Sequence, residues 1–322
     1  MFVTISLLII GLVLLVKGAD WLVGGASSLA KKVGISALII GLTIVAFGTS
    51  MPELIVNIFA SVQNSPEIAI GNVVGSNIAN GLLILGISAL IFPLVAKSQT
   101  VRYEMLFTLS ATLLLLILAL NWTVNGEMAL SRFDGVALLM GFVGFIVYIF
   151  RQAKKTHNKT LEKEEGVKEI GVKKSWLMII GGVVALAVGG KIIVNCAVEI
   201  ATTLGVSESL IGLTIVAIGT SLPELMTSAV AAYRKNADIA IGNVVGSNIF
   251  NILWILGVSS LIRPLPFAEE SLFDLVFAIG ATILLWLILL LNKKKIGRFW
   301  GMAFVITYVV YVVVIIATKK GV

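Results

Sequence analysis

Long apolar runs broken by short polar clusters dominate this 322-residue chain. A membrane-crossing helix needs roughly 20 predominantly apolar residues. By that measure the pattern predicts ten spans, over residues 2–30, 37–62, 67–92, 103–121, 131–150, 175–204, 208–233, 238–262, 273–291 and 297–317. The first and sixth are long enough to lie steeply tilted or to reach beyond the lipid. The longest polar stretch, 151–174, is rich in Lys and Glu and reads as a solvated linker between two five-helix halves, 1–150 and 175–322. The expected fold class is an all-α integral membrane protein.

Composition agrees with lipid as the solvent. The chain is 58% hydrophobic and 13% charged, with a mean hydropathy of +1.06. A soluble protein of this size cannot hide that much apolar surface. The net charge of +7 does not point to nucleic acid, because the basic residues are spread over short loops. Placing the loops on alternate sides puts eighteen Lys and Arg on one face and four on the other, with Lys17 and Lys191 inside spans. The excess of basic residues marks the cytoplasmic side. Both termini are therefore expected outside and the linker inside, in the plasma membrane. The apolar N-terminus has no basic residues before it and no clear cleavage site, so it reads as a retained span.

Two motifs recur at an offset of 171 residues. GLTIVAFGTSMPEL at 41–54 matches GLTIVAIGTSLPEL at 212–225, and IAIGNVVGSNIAN at 68–80 matches IAIGNVVGSNIFN at 239–251. Five spans separate equivalent positions, and five is odd. The second copy then enters the membrane from the opposite side, giving two inverted repeats about an axis in the membrane plane.

Pro52 and Pro223 follow Gly48-Thr49-Ser50 and Gly219-Thr220-Ser221. Proline suits the first turn of a new helix but not a helix interior. The second and seventh spans are thus expected to break near the midplane and to release carbonyls around Ala46, Thr49, Ala217 and Thr220, which in lipid must find partners. Each break carries one carboxylate, Glu53 or Glu224, with no Lys or Arg in its motif. An unpaired charge there costs roughly 3 kcal/mol or more. Two such groups brought together repel, and protons or a bound cation relieve the repulsion.

The GNVVGSN helices add hydroxyls and amides. Gly71, Gly75, Gly242 and Gly246 have the small-xxx-small spacing of close helix packing. Ser76, Ser247, Asn80 and Asn251 stand beside these contacts, while Asn72, Asn77, Asn243 and Asn248 fit interhelical hydrogen bonding as well as ligation. The inventory is all oxygen, which suits Ca²⁺ or Na⁺ and not a soft metal. The lone Cys196 and lone His157 exclude a disulfide within the chain and a thiol or imidazole cluster. Two negative charges match one Ca²⁺ or two Na⁺, so the ions would compete. Asp20 and Lys191 occupy equivalent positions and could pair or mark an ion path, but snorkelling near the helix ends is the favoured reading. Glu67, Glu199 and Asp238 fall near interfaces, with a vestibule role as the alternative.

At these residues the chain resembles the sodium/calcium exchanger family of the cation/calcium exchanger superfamily. The resemblance implies a fold of eight core helices and two long tilted ones that slide across them. It implies that Glu53, Glu224 and the carbonyls of Thr49 and Thr220 bind Ca²⁺. One sodium site would use Ala46, Thr49, Ser50, Glu53 and Ser76, and its counterpart Ala217, Thr220, Ser221, Glu224 and Ser247, with Asn80 and Asn251 completing the centre. Potassium-dependent members carry aspartate where Asn251 stands, which argues against potassium here. The short linker leaves no room for the calcium-sensing domains of animal members, so the chain looks prokaryotic. The reading is a secondary antiporter that moves Ca²⁺ outward against Na⁺, with no resident cofactor, no obligate protein partner and no enzyme activity. A proton/calcium exchanger is the nearest alternative and a gated cation channel a more distant one.

Overall fold

The computed structural model describes residues 2–63, 66–120, 128–157, 170–204 and 217–319. These form twelve helical segments. They are α1 (Phe2–Val33), α2 (Ala37–Thr49), α3 (Met51–Val62), α4 (Ile68–Ile91), α5 (Thr100–Ala119), α6 (Arg132–His157), α7 (Val172–Thr203), α8 (Ala217–Thr220), α9 (Leu222–Tyr233), α10 (Ala237–Ile262), α11 (Glu269–Leu291) and α12 (Arg298–Lys319). Eight are long and apolar enough to cross a membrane, and the bent pair α2–α3 makes a ninth. Of the expected span at 208–233, residues 208–216 lie outside the described residues, as do residues 158–169 of the 151–174 linker.

Helix α10 is the core of the molecule: 94% of its most apolar stretch is buried, against 28% for α1 and 17% for α12. The exposed apolar side chains of α1, α6, α7, α11 and α12 face outward, as lipid contact requires. Asn236 begins α10 by accepting the Ile239 N–H at 3.1 Å, and Ser36 begins α2 by accepting that of Ile39 at 3.3 Å. Such caps satisfy N–H groups that a helix start leaves unpaired.

The long helices α1 and α7 run antiparallel with their backbones nearly touching. A Cβ on Gly18 would sit 2.9 Å from the Gly182 carbonyl, one on Gly11 3.1 Å from that of Gly189, and one on Gly25 2.7 Å from that of Ser175. Small residues thus meet at seven-residue intervals along both helices, the arrangement that lets membrane helices approach closely. The rest of the core interleaves the two halves. Gly86 of α4 lies against Gly301 of α12, and at the equivalent place Gly257 of α10 lies against Gly135 of α6.

Two short antiparallel ribbons close the ends. Strand β1 (Leu94–Val95) pairs with β4 (Lys295–Ile296), and β2 (Ala129–Leu130) pairs with β3 (Leu265–Pro266). Each ribbon joins a loop of one half to a loop of the other. Asp20 pairs with Arg234 rather than with Lys191. Asp238 pairs with Lys97, and Glu199 accepts a hydrogen bond from Thr4 at 2.9 Å. The side chain of Glu67 lies outside the described residues.

Candidate cation site

The break in the second span falls where the proline predicts it. Ser50 has φ −83° and ψ 7°, outside the helix, and α2 and α3 diverge by 46° across it. Ser221 has φ −86° and ψ 4° between α8 and α9. Pro52 and Pro223 each fall in the first turn of the new helix, with Glu53 and Glu224 beside them. Both carboxylates are buried, at 1% exposure. Neither is paired with a basic side chain among the described residues.

Each glutamate meets the serine of the other half. The Ser50 hydroxyl donates to Glu224 Oε1 at 2.9 Å, and the Ser221 hydroxyl lies 3.4 Å from Glu53 Oε1. Ser221 is also 3.1 Å from the Ser76 hydroxyl, and Ser247 donates to Glu224 Oε1 at 3.4 Å. The threonines follow the same exchange. Thr49 donates to Asn243 at 3.0 Å and Thr220 to Asn72 at 3.3 Å. The asparagines complete it, with Asn80 donating to Asn248 at 2.9 Å and Asn251 to Asn77 at 3.0 Å. For the Ser–Glu, Thr–Asn and Asn–Asn contacts between the halves, adding 171 to one partner and subtracting it from the other turns each into its twin. That is the reciprocity of a twofold contact.

Buried polar atoms are almost always hydrogen-bonded. Among the described residues Glu53 Oε2, Glu224 Oε2, Asn80 Oδ1 and Asn251 Oδ1 are buried without a partner. All four are acceptors, which is what a hard cation requires. No group of three or more His, Cys, Asp and Glu side chains that could hold a metal occurs among the described residues. A site here therefore depends on hydroxyls and amides beside its two carboxylates.

Asn80 and Asn251 are the second residues of two π-helical turns, Ala79–Ile84 and Phe250–Ile255, which fall at equivalent positions. Such turns often mark functional sites. The Ala46 carbonyl is already engaged, accepting the Ser50 N–H at 3.0 Å with the Thr49 hydroxyl 3.3 Å away. The side chain of Ala217 lies outside the described residues. Gly242 and Gly246 make the expected close contacts, with the backbones at Leu38 and Leu42; at Gly71 and Gly75 no described atom lies within 4 Å of an added Cβ.

Two supporting residues escaped the sequence reading. Asn57 accepts from Asn72 at 2.7 Å and donates to the Ala69 carbonyl at 3.1 Å, and Ser228 accepts from Asn243 at 3.0 Å. Each stands four residues after its glutamate, on the same helix face. That spacing, kept at the repeat offset, is the signal that could have found them. A small open pocket lined by Phe47, Ser50, Met51, Leu54, Phe250, Trp254 and Ile255 reaches one side of the site.

Fold and geometry together define a multi-pass membrane protein in which two buried carboxylates, hydroxyls and amides from both halves of one chain meet. The family model described as sodium/calcium exchanger protein matches residues 3–151 and 174–317, and the chain belongs to that family. It is 36% identical over 346 residues to the sodium/calcium exchanger MaX1 of Methanosarcina acetivorans, covering 97% of this chain and 98% of that protein. It is 38% identical over 297 residues to the inner membrane protein YrbG of Escherichia coli, covering 89% and 90%. The solved structure of the sodium-calcium exchanger NCX_Mj, soaked with 10 mM Na⁺ and zero Ca²⁺, matches with a TM-score of 0.82 at 34% identity, over 97% of this chain and 98% of that one.

Proposed function

We propose that the protein is a secondary antiporter exchanging Na⁺ for Ca²⁺ by alternating access, and that it normally exports Ca²⁺. The observation that carries this reading is the set of unpartnered oxygens on Glu53, Glu224, Asn80 and Asn251. They are contributed equally by two halves whose glutamates are bridged by each other's serines. Two carboxylates balance one Ca²⁺ or two Na⁺, so one ion displaces the other. The site residues are Glu53, Glu224, Thr49, Thr220, Ser50, Ser221, Ser76, Ser247, Ala46, Ala217, Asn80 and Asn251, with Ala46, Ala217, Thr49 and Thr220 acting through their carbonyls.

Ten spans in two inverted halves are part of the same reading. The exchanged contacts support it, as do the ribbons. Loops 93–102 and 292–296 fall on one predicted side and are joined by β1–β4, and loops 122–130 and 263–268 fall on the other and are joined by β2–β3. The basic side, with the linker, is assigned to the cytoplasm and both termini to the outside of the plasma membrane. The long pair α1–α7 is the element that slides.

The test is uptake of radiolabelled Ca²⁺ into proteoliposomes loaded with Na⁺, compared with K⁺-loaded vesicles and with an imposed pH gradient. Uptake should require the outward Na⁺ gradient. Uptake driven by the pH gradient and indifferent to Na⁺ would establish proton coupling instead, and uncoupled current would establish a channel.

A further inference from the structure

Four buried asparagines tie the two halves together at the centre of the site, and their hydrogen bonds leave one consistent orientation for every amide. Amide oxygen and nitrogen are told apart only through their partners. The backbone carbonyls are the fixed points, since they can only accept. Asn77 Nδ2 donates to the Asn248 carbonyl at 3.2 Å, and Asn248 Nδ2 donates to the Asn77 carbonyl at 3.4 Å. With their nitrogens committed, Asn77 and Asn248 can offer only Oδ1 to a neighbour. Asn251 and Asn80 must then turn their nitrogens toward those oxygens, at 3.0 Å and 2.9 Å. Their own Oδ1 atoms are left buried and without a partner among the described residues.

We propose that Asn77 and Asn248 are positioning and specificity-determining residues: each holds the amide of the other half's Asn251 or Asn80 with its oxygen toward the cation. The proposal rests on the cation-site reading above and adds the orientation and charge of the two central ligands. A flipped amide at 80 would set Oδ1 against the Asn248 oxygen and aim donors at the cation. An aspartate at 80 or 251 would meet the same opposing oxygen, so the pair also keeps these positions neutral and the charge of the site at two. The bonding runs between halves, from 80 to 248 and from 251 to 77. It does not follow chain proximity.

That crossing supplies the test. Ca²⁺ and Na⁺ binding to the purified full-length protein in detergent is measured by calorimetry for Asn248→Ala, Asn80→Ala, Asn251→Ala and the doubles. Asn248→Ala should weaken Ca²⁺ binding by about tenfold. In the double with Asn80→Ala the two effects should be strongly non-additive, while with Asn251→Ala the coupling should be smaller, because Asn248 holds Asn80 directly and meets Asn251 only through Asn77. If the alanine variants do not purify folded, Asn248→Ser and Asn80→Ser complete the same cycle. Additive effects for 248 with 80, or a coupling of 248 with 251 as large as that with 80, would overturn the proposal and leave the cation site standing. Absence of cation binding by the unsubstituted protein would overturn both.

Discussion

Ser50 donates its hydroxyl to Glu224 across 174 residues of sequence at 2.9 Å, while the twin contact from Ser221 to Glu53 is longer, at 3.4 Å. Each carboxylate is therefore held by the opposite repeat, and the two halves are not held equally. A hydrogen bond to a charged group contributes about 1.5–3 kcal/mol. Ser50→Ala should weaken Ca²⁺ half-saturation of transport by about tenfold or more, and Ser221→Ala by less. Initial rates in proteoliposomes over a range of Ca²⁺ check the order.

The glycine contacts of α1 and α7 predict a steric effect. A Cβ on Gly182 would lie 2.7 Å from both the Gly18 carbonyl and the Leu22 amide nitrogen, where backbone must shift. Overpacking of this kind costs about 1–3 kcal/mol. Gly182→Ala should lower the melting temperature in detergent and slow exchange. Gly144→Ala, where no described atom lies within 4 Å, should do neither.

A polar cluster away from the site predicts the reverse pattern. Glu104 is buried and accepts from the Tyr148 hydroxyl at 2.6 Å and from Gln99 at 3.0 Å. Tyr148→Phe removes the shorter bond and should destabilise by about 1–3 kcal/mol. Ca²⁺ half-saturation should not move, because none of these groups contacts the site residues. Thermal unfolding read beside transport separates the two effects.

The Asp20–Arg234 pair joins α1 to the end of α9 at an exposed position. Exposed pairs contribute about 0–1 kcal/mol. Asp20→Asn should leave the melting temperature nearly unchanged. Asn236→Ala removes a helix cap and a 3.1 Å bond to Ser27, and should lower it measurably, since a lost cap alone costs about 1 kcal/mol.

The site was legible because it breaks the rules of its surroundings. A glutamate inside an apolar run is costly, so its appearance twice at one offset, beside the same threonine, serine and proline, pointed to chemistry. The helices were legible for the converse reason, since apolar length alone identifies a span. Partners were not legible. Periodicity says which face of a helix is buried and not what lies against it, so Asp20 found Arg234 and Asn72 found Asn57 unannounced. The spacing of Gly11, Gly18 and Gly25 against Ser175, Gly182 and Gly189 was present in the chain, but a period of seven means little until the opposing helix is known. The π-helical turns at 79–84 and 250–255 left no mark, because their residues would suit an α-helix equally well.

One Ca²⁺ shared by Glu53 and Glu224 is the central claim, and binding stoichiometry tests it most directly. Calorimetric titration of the purified protein with Ca²⁺ should give one site per chain, competed by Na⁺. That site should be lost on either Glu53→Gln or Glu224→Gln while the variants stay folded. Two Ca²⁺ per chain, or Ca²⁺ binding retained in either single variant, would contradict it.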